Sequence, residues 1–97
     1  MVGALVSSVW YVYVIRCGDG SSYYTGITTD VTRRLDQHRR GIGARYTRGR
    51  GPLELWWMSE PLSHHEALVI ERQMKQWSHQ DKEDLNRDGG ILSPSLG

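Results

Sequence analysis

Two short runs of aromatic and β-branched residues, joined by a turn sequence, constrain the fold of this chain more than any other feature. Residues 10–15 read WYVYVI and residues 23–27 read YYTGI, and both compositions are typical of strands. The segment between them contains GDGSS at 18–22, which is turn chemistry. The sequence therefore predicts a β-hairpin over residues 10–27. Because the first run is apolar on both faces, we expect it to be a central strand.

A helix, a loop and a third strand are predicted after the hairpin. Residues 28–30 (TTD) offer N-caps, and Val31 and Leu35 lie four apart, as on the inner face of a helix. The glycine- and arginine-rich segment 41–52 (GIGARYTRGRGP) ends this helix and forms a loop. Residues 53–58 (LELWWM) are predicted to form the third strand.

Two capping motifs mark the helices of the C-terminal half. Ser63 and Glu66 have the spacing of a capping box, and Ser78 with Asp81 predicts a last short helix that contains Leu85. The helix that begins after Ser63 has an apolar stripe made of Ala67, Ile70, Met74 and Trp77. The predicted order is β-β-α-β-α-α, which indicates an α+β domain with a small sheet covered by helices.

The length of 97 residues suits one small domain. We expect residues 10–88 to form it, with a flexible N-terminal arm at 1–9 and a flexible C-terminal tail at 89–97. Cys17 is the only cysteine, which excludes an internal disulfide and favours a cytoplasmic protein. No apolar run approaches the ~18 residues of a membrane span, and the N-terminus lacks the basic region of a signal peptide.

The charge of the chain is unevenly distributed. The formal net charge is only +1, but residues 30–52 contain seven arginines against two aspartates, and residues 53–97 carry a net charge of −4. Arginine has a planar set of donors that matches phosphate oxygens. The basic block is therefore either a phosphate-binding surface or a solvated helix face with a basic loop.

Three tyrosines of the hairpin form the first candidate site. Tyr11 and Tyr13 are two residues apart and so share one face of a strand, while Tyr24 lies across the hairpin. One interpretation is cross-strand aromatic packing, which stabilises sheets. The other is a pair of phenols at an active site, one of which accepts a proton.

Arg34 and His38 are the second candidate pair. They lie one helical turn apart, beside the apolar positions of the first predicted helix. His38 is either a functional residue or a cation that is stabilised at the C-terminus of the helix. Arg34 is either a functional residue or one whose aliphatic part packs on the domain while its guanidinium stays in water.

Glu71 is the third candidate, because it lies at the margin of an apolar helix stripe. A carboxylate there needs a partner. That partner is a metal ion, or a base such as Arg34 or Lys75.

Together these positions resemble the GIY-YIG nuclease superfamily. Residues 11–13 (YVY) and, ten residues further on, 24–26 (YTG) are similar to its paired signature, in degenerate form. The family has an arginine eight residues after the second glycine, which is Arg34 here, and often a histidine or tyrosine one turn later, which is His38. Its glutamate on a Glu-Ala-Leu-type helix corresponds to Glu71. The chain looks like the short stand-alone bacterial members, the YhbQ-like group.

The resemblance implies a three-stranded antiparallel sheet flanked by helices, and metal-dependent hydrolysis of a DNA phosphodiester bond in DNA repair or processing. By similarity, Tyr24 is the general base for water and Tyr13 helps to position it. Arg34 binds the scissile phosphate, and His38 supports the nucleophile or the phosphate. Glu71 holds a single Mg²⁺ or Mn²⁺ ion, which we expect to bind weakly without DNA.

The implied partner is DNA, bound through its phosphate backbone, with a protein partner as a candidate source of specificity. Many members carry an asparagine near a proline after the catalytic helix, and Asn86 lies at a suitable distance without that proline. Two alternatives stay open: a non-catalytic nucleic-acid-binding module on the same fold, and a protein-interaction domain that uses the acidic half. We assign the backbone contacts to Arg39, Arg40, Arg45, Arg48, Arg50 and Lys75.

Overall fold

The computed structural model describes residues 9–20 and 22–86. The predicted tail at 89–97, and all of the predicted arm except Val9, lie outside the described residues. The predicted element order is confirmed. The elements are β1 (Tyr11–Cys17), β2 (Tyr23–Thr28), α1 (Val31–Arg39), β3 (Leu53–Met58), α2 (His64–Met74) and α3 (His79–Asp84).

The three strands form one antiparallel sheet in the order β2-β1-β3, so the hairpin and the central position of β1 are confirmed. β1 begins and ends later than predicted. Trp10 makes an isolated bridge to Leu62, and the strand continues to Cys17 because Cys17 pairs with Leu53 of β3. The pairing with β3 shifts register between Val14 and Ile15.

Side-chain hydrogen bonds fix where the helices begin. Asp30 accepts from the backbone N–H of Arg33 at the start of α1. Ser63 and Glu66 form the predicted capping box at α2, and Ser78 caps α3. Leu85, which was predicted to lie within the last helix, is instead the C-cap of α3, and it packs in the core.

Helices cover both faces of the sheet. On one face, Val12, Val14 and Trp57 pack against Ala67, Ile70 and Met74 of α2 and against Leu85; this is the α2 layer. On the other face, Tyr13, Ile15, Cys17 and Leu53 pack against Val31 of α1; this is the α1 layer. Successive side chains of β1 enter opposite layers, as the alternation of a strand requires. Within the described ranges, no helix has the length and apolarity to cross a membrane.

Candidate active site

In the α1 layer, the side chain of one β1 tyrosine lies over the neighbouring strand β2 and reaches the edge of the sheet. Tyr13 is paired with Gly26 of β2, and its side chain is 2% exposed. A Cβ atom on Gly26 would lie 2.6 Å from the Tyr13 hydroxyl. Position 26 must therefore be glycine for the Tyr13 ring to lie across β2 and bring its hydroxyl to the edge.

A buried hydrogen-bond chain holds the Tyr13 hydroxyl in place. The hydroxyl oxygen lies 2.9 Å from Nε2 of His38, and Nδ1 of the same ring lies 2.8 Å from Oγ1 of Thr47. Thr47 donates its single hydroxyl proton to the Ala44 carbonyl at 3.2 Å. When Thr47 donates there, His38 donates from Nδ1 to Thr47, and Nε2 accepts the proton of Tyr13.

The pKa values of His38 and Tyr13 agree with the donation of a hydrogen bond from Tyr13 to His38. Burial, and then the positive charge of Arg34, lower the pKa of His38 to about 4, so the ring is neutral near pH 7. Burial also raises the pKa of Tyr13 to about 12, a shift that Arg34 opposes and that Tyr24 and Glu71 increase. Tyr13 is thus a protonated hydrogen-bond donor, not a phenolate, at neutral pH.

Tyr24 is the half-buried aromatic residue beside this chain. Its ring centroid lies 6.3 Å from that of Tyr13, 5.1 Å from that of His38 and 5.8 Å from that of Tyr46. Because Tyr13 and His38 are buried and Tyr46 is exposed, Tyr24 lies where the site meets solvent.

The charged candidates Arg34 and Glu71 lie on different helices, α1 and α2. Arg34 of α1 donates to Oε1 of Gln37 at 2.9 Å and to the Gly43 carbonyl at 3.2 Å, so its guanidinium is held between the helix and the loop. Both charges act on the pKa of Tyr13, which Arg34 lowers and Glu71 raises.

Of the two bases proposed as the partner of Glu71, the structure shows Lys75 and not Arg34. Glu71 pairs with Lys75, one turn further along α2, at 3.3 Å. The local i,i+4 partner is available without any change in the loop, whereas Arg34 is already bonded to Gln37 and Gly43.

Glu71 offers one carboxylate for a divalent cation. Its side chain is 19% exposed. Among the described residues, no three His, Cys, Asp or Glu side chains cluster as metal ligands. Mg²⁺ commonly binds through one or two carboxylates together with waters and substrate phosphate, so a single half-buried glutamate fits that ion.

Comparison with known proteins decides the family. Residues 9–85 match the sequence profile of the GIY-YIG catalytic domain. The chain belongs to the GIY-YIG family. The match spans every strand and helix described above, so the family of nuclease domains and the α+β fold with three antiparallel strands are both established.

Curated relatives of this GIY-YIG domain are bacterial proteins named UPF0213. The chain is 49% identical over 79 residues to one from Sodalis glossinidius, a match that covers 81% of this chain and 73% of the relative. It is 47% identical over 89 residues to one from Yersinia pestis, which covers 92% and 93%. These names state no activity. No solved structure matches the chain at a significant level.

The six residues assigned to DNA are spread over the GIY-YIG domain. Arg39 donates to the Leu53 carbonyl at the β3 edge, away from β2, and Arg40 forms an exposed ion pair with Asp36. Lys75 pairs with Glu71, as described above. The other three belong to the loop that follows α1: Arg45 is exposed, Arg48 donates to the Gly41 carbonyl, and Arg50 pairs with Asp19 and lies over the Tyr46 ring.

Sequence reasoning missed two residues that build this GIY-YIG site. Thr47 fixes the tautomer of His38, and Gly43 lets the loop lie against that ring, since a Cβ there would be 2.6 Å from Nδ1. Both belong to the loop, where no strand or helix period marks inward-facing positions. A buried threonine and a close-packed glycine in such a loop are visible only in three dimensions.

Proposed function

We propose that this GIY-YIG protein is a metal-dependent DNA endonuclease. The observation that carries the proposal is the arrangement around one buried hydroxyl. Tyr13 is held as a donor by His38, the half-buried Tyr24 lies beside it, and the charges of Arg34 and Glu71 both reach it. An acid–base group, a cation and a metal-binding carboxylate are what hydrolysis of a phosphodiester requires.

Each residue of the site has a distinct part in this proposal. Tyr24 meets solvent and, as the phenolate, takes the proton from the attacking water and becomes the phenol. Tyr13 keeps its own proton and orients that water or the phosphate. Arg34 lies over the phosphate and opposes the negative charge that develops there. His38 acts as a positioning residue, because its Nε2 fixes the Tyr13 hydroxyl.

Glu71 would hold the divalent cation, which supplies polarisation of the phosphate and stabilises the leaving oxygen. The ion pair with Lys75 leaves this carboxylate oriented without DNA. With Glu71 holding the cation, Lys75 would be released from its ion pair and could make its predicted contact with the DNA backbone.

A plasmid-nicking assay tests the proposal. Purified protein should convert supercoiled plasmid to the nicked form in Mg²⁺ or Mn²⁺, and EDTA should stop the reaction. Arg34→Ala should lower the rate by about 10²–10³, the usual loss on removal of one charge-stabilising group. Arg33→Ala is the matched control, because Arg33 is the exposed neighbour on the same helix, and it should cut like the parent.

Two results would contradict the proposal. One is the absence of nicking by the parent in either metal, together with no cutting of branched, nicked or single-stranded DNA. The other is an equal rate for Arg34→Ala and the parent. Retained DNA binding in the first case would favour a non-catalytic binding module on the same fold.

A further inference from the structure

One of the pockets of the molecule lies at the β2 edge of the sheet, near the candidate active site. It is a pocket of about 220 Å³ lined by Tyr23, Tyr46, Trp77, His79 and Lys82. Pockets for drug-sized ligands span about 300–1,000 Å³, so this one has room for a single planar ring system. None of its five lining residues has a part in the proposed hydrolysis.

The walls of the pocket are aromatic rings with exposed surface. Tyr46 is 42% exposed, and His79 is exposed at the start of α3. The His79 ring meets the Tyr23 ring edge-on, with centroids 4.9 Å apart. Packing in the α2 layer accounts for the inner parts of Tyr23 and Trp77. It does not account for Tyr46, which is partly covered by Arg50 and still largely exposed, or for His79, which is exposed.

The pocket adjoins the proposed active site on two sides. Tyr46 packs beside Tyr24, with ring centroids 5.8 Å apart, and so links the site to the pocket; Tyr23, next to Tyr24 in β2, lies on the opposite face of the sheet. On the far side, Lys82 is close enough to Lys75 for their charges to interact, and Lys75 pairs with Glu71. A nucleotide chain that crosses from Tyr24 to Glu71 therefore passes the mouth of this pocket.

Lys82 gives the pocket a positive rim. Within the described residues it forms no ion pair, and its side chain is half-buried. Burial, and then the charge of Lys75, lower its pKa from the ordinary value. An anion beside Lys82 would relieve the repulsion between the two ammonium groups.

We propose that this pocket takes one unpaired nucleobase of the DNA strand, next to the phosphate that is cut, with Lys82 on a flanking phosphate. The proposal rests on the proposed function and adds a substrate class to it. Aromatic rings stack on any base and so select unpaired nucleotides without reading sequence. Bases inside a duplex are already stacked and paired. A duplex must therefore be unpaired and unstacked, at a cost in free energy, before one of its bases can enter the pocket.

Binding without cleavage tests the inference on the parent protein in EDTA. The probes are a short DNA strand with 2-aminopurine, the same strand with abasic positions, and the duplex. We expect the intact strand to bind about tenfold more tightly than the other two and its fluorescence to be quenched by the rings. Tyr46→Ala and His79→Ala should each remove the preference and the quenching. Lys82→Gln should weaken binding of the intact and abasic strands alike.

The matched control is His64→Ala. His64 is the first residue of α2, is exposed and stacks on Trp10, so it repeats the local setting of His79 away from the pocket. It should bind like the parent. Circular dichroism of all variants shows whether each is folded, and any unfolded variant is replaced by Tyr46→Ser or His79→Gln.

The outcomes separate this inference from the proposed function. Equal affinity of the parent for intact strand, abasic strand and duplex would overturn the pocket, even if the protein cuts DNA. Equal loss of preference in His64→Ala and His79→Ala would also overturn it. Pocket-dependent preference for the intact strand, in a protein that cuts no DNA, would support the pocket and refute the nuclease.

Discussion

The two faces of the sheet bury different kinds of side chain. The α2 layer is built from aliphatic and aromatic groups, with Trp57 and Met74 among its largest. The α1 layer buries Tyr13, His38 and Thr47, whose polar atoms bond to each other and to the loop. Burial of polar groups contributes little net stability even when they are bonded. The comparison indicates that the α2 layer supplies most of the stability, whereas the α1 layer buries more of the polar groups of the candidate site.

The largest expected effect is on stability and lies in the α2 layer. Trp57 is 1% exposed, and Trp57→Ala should lower the free energy of unfolding by about 3–5 kcal/mol, a large share of the ~5–15 kcal/mol of a small domain. Leu68→Ala on the exposed side of α2 is the control and should change it little. Urea unfolding measures both. Equal losses would remove the basis for treating the α2 layer as the stabilising one.

In the α1 layer we expect the opposite result, a loss of cleavage without a loss of stability. Tyr24→Phe should lower the cleavage rate by about 10²–10⁴ while leaving the unfolding midpoint unchanged, because only a proton acceptor at the solvent edge is removed. Single-turnover cleavage and urea unfolding on the same sample check both halves. Tyr11→Phe, which shares the same layer, serves as the control and should cut normally. A parent-like rate for Tyr24→Phe would require a different general base.

Stability should also depend on pH through the α1 layer. Folding lowers the pKa of His38 from 6.5 to about 4, so between these values the unfolded chain binds a proton that the folded chain does not. The contribution of His38 is therefore complete above pH 6.5 and is lost as pH falls, by about 3 kcal/mol at pH 4. The free energy of unfolding of the parent and of His38→Gln, measured across this pH range, isolates the contribution of His38. His64→Gln, in which an exposed ring is replaced, should follow the parent, and a parent-like slope in His38→Gln would contradict the assignment.

The smallest expected effect concerns the loop between α1 and β3. Arg45 is exposed, and Arg45→Ala should weaken DNA binding by a similar factor on every sequence. Each lost phosphate contact should flatten the slope of log K against log salt by about 0.9. Titrations at several salt concentrations measure the slope. A loss confined to some sequences would mean that Arg45 contacts bases.

Local patterns predicted most of the fold. Alternation along β1 correctly predicted that Tyr11 and Tyr13 share a layer, and capping residues gave the starts of all three helices. These signals are local, so a single sequence contains them. The start of β1 was missed because the bridge of Trp10 to Leu62 depends on a segment far along the chain.

The candidate site was less accessible to sequence reasoning. Helical spacing gave Arg34 and His38, but the hydrogen bond from His38 to Thr47 depends on the path of a loop that has no period. The choice of Lys75 over Arg34 as the partner of Glu71 likewise depends on what else Arg34 contacts. Side-chain partners in such a site are set by tertiary structure.

The central claim is that the charges around Tyr13 form a hydrolytic site, and Glu71→Gln tests it most directly. Glu71 pairs only with Lys75 among the described residues, so the change should spare the fold. Cleavage and affinity are measured on the same DNA in Mg²⁺, with Glu54→Gln, an exposed glutamate of β3, as the control. The account predicts that Glu71→Gln loses cleavage and binds DNA as tightly as the parent or more tightly, because a negative charge near the phosphate is removed. Cleavage at the parent rate by Glu71→Gln would contradict it.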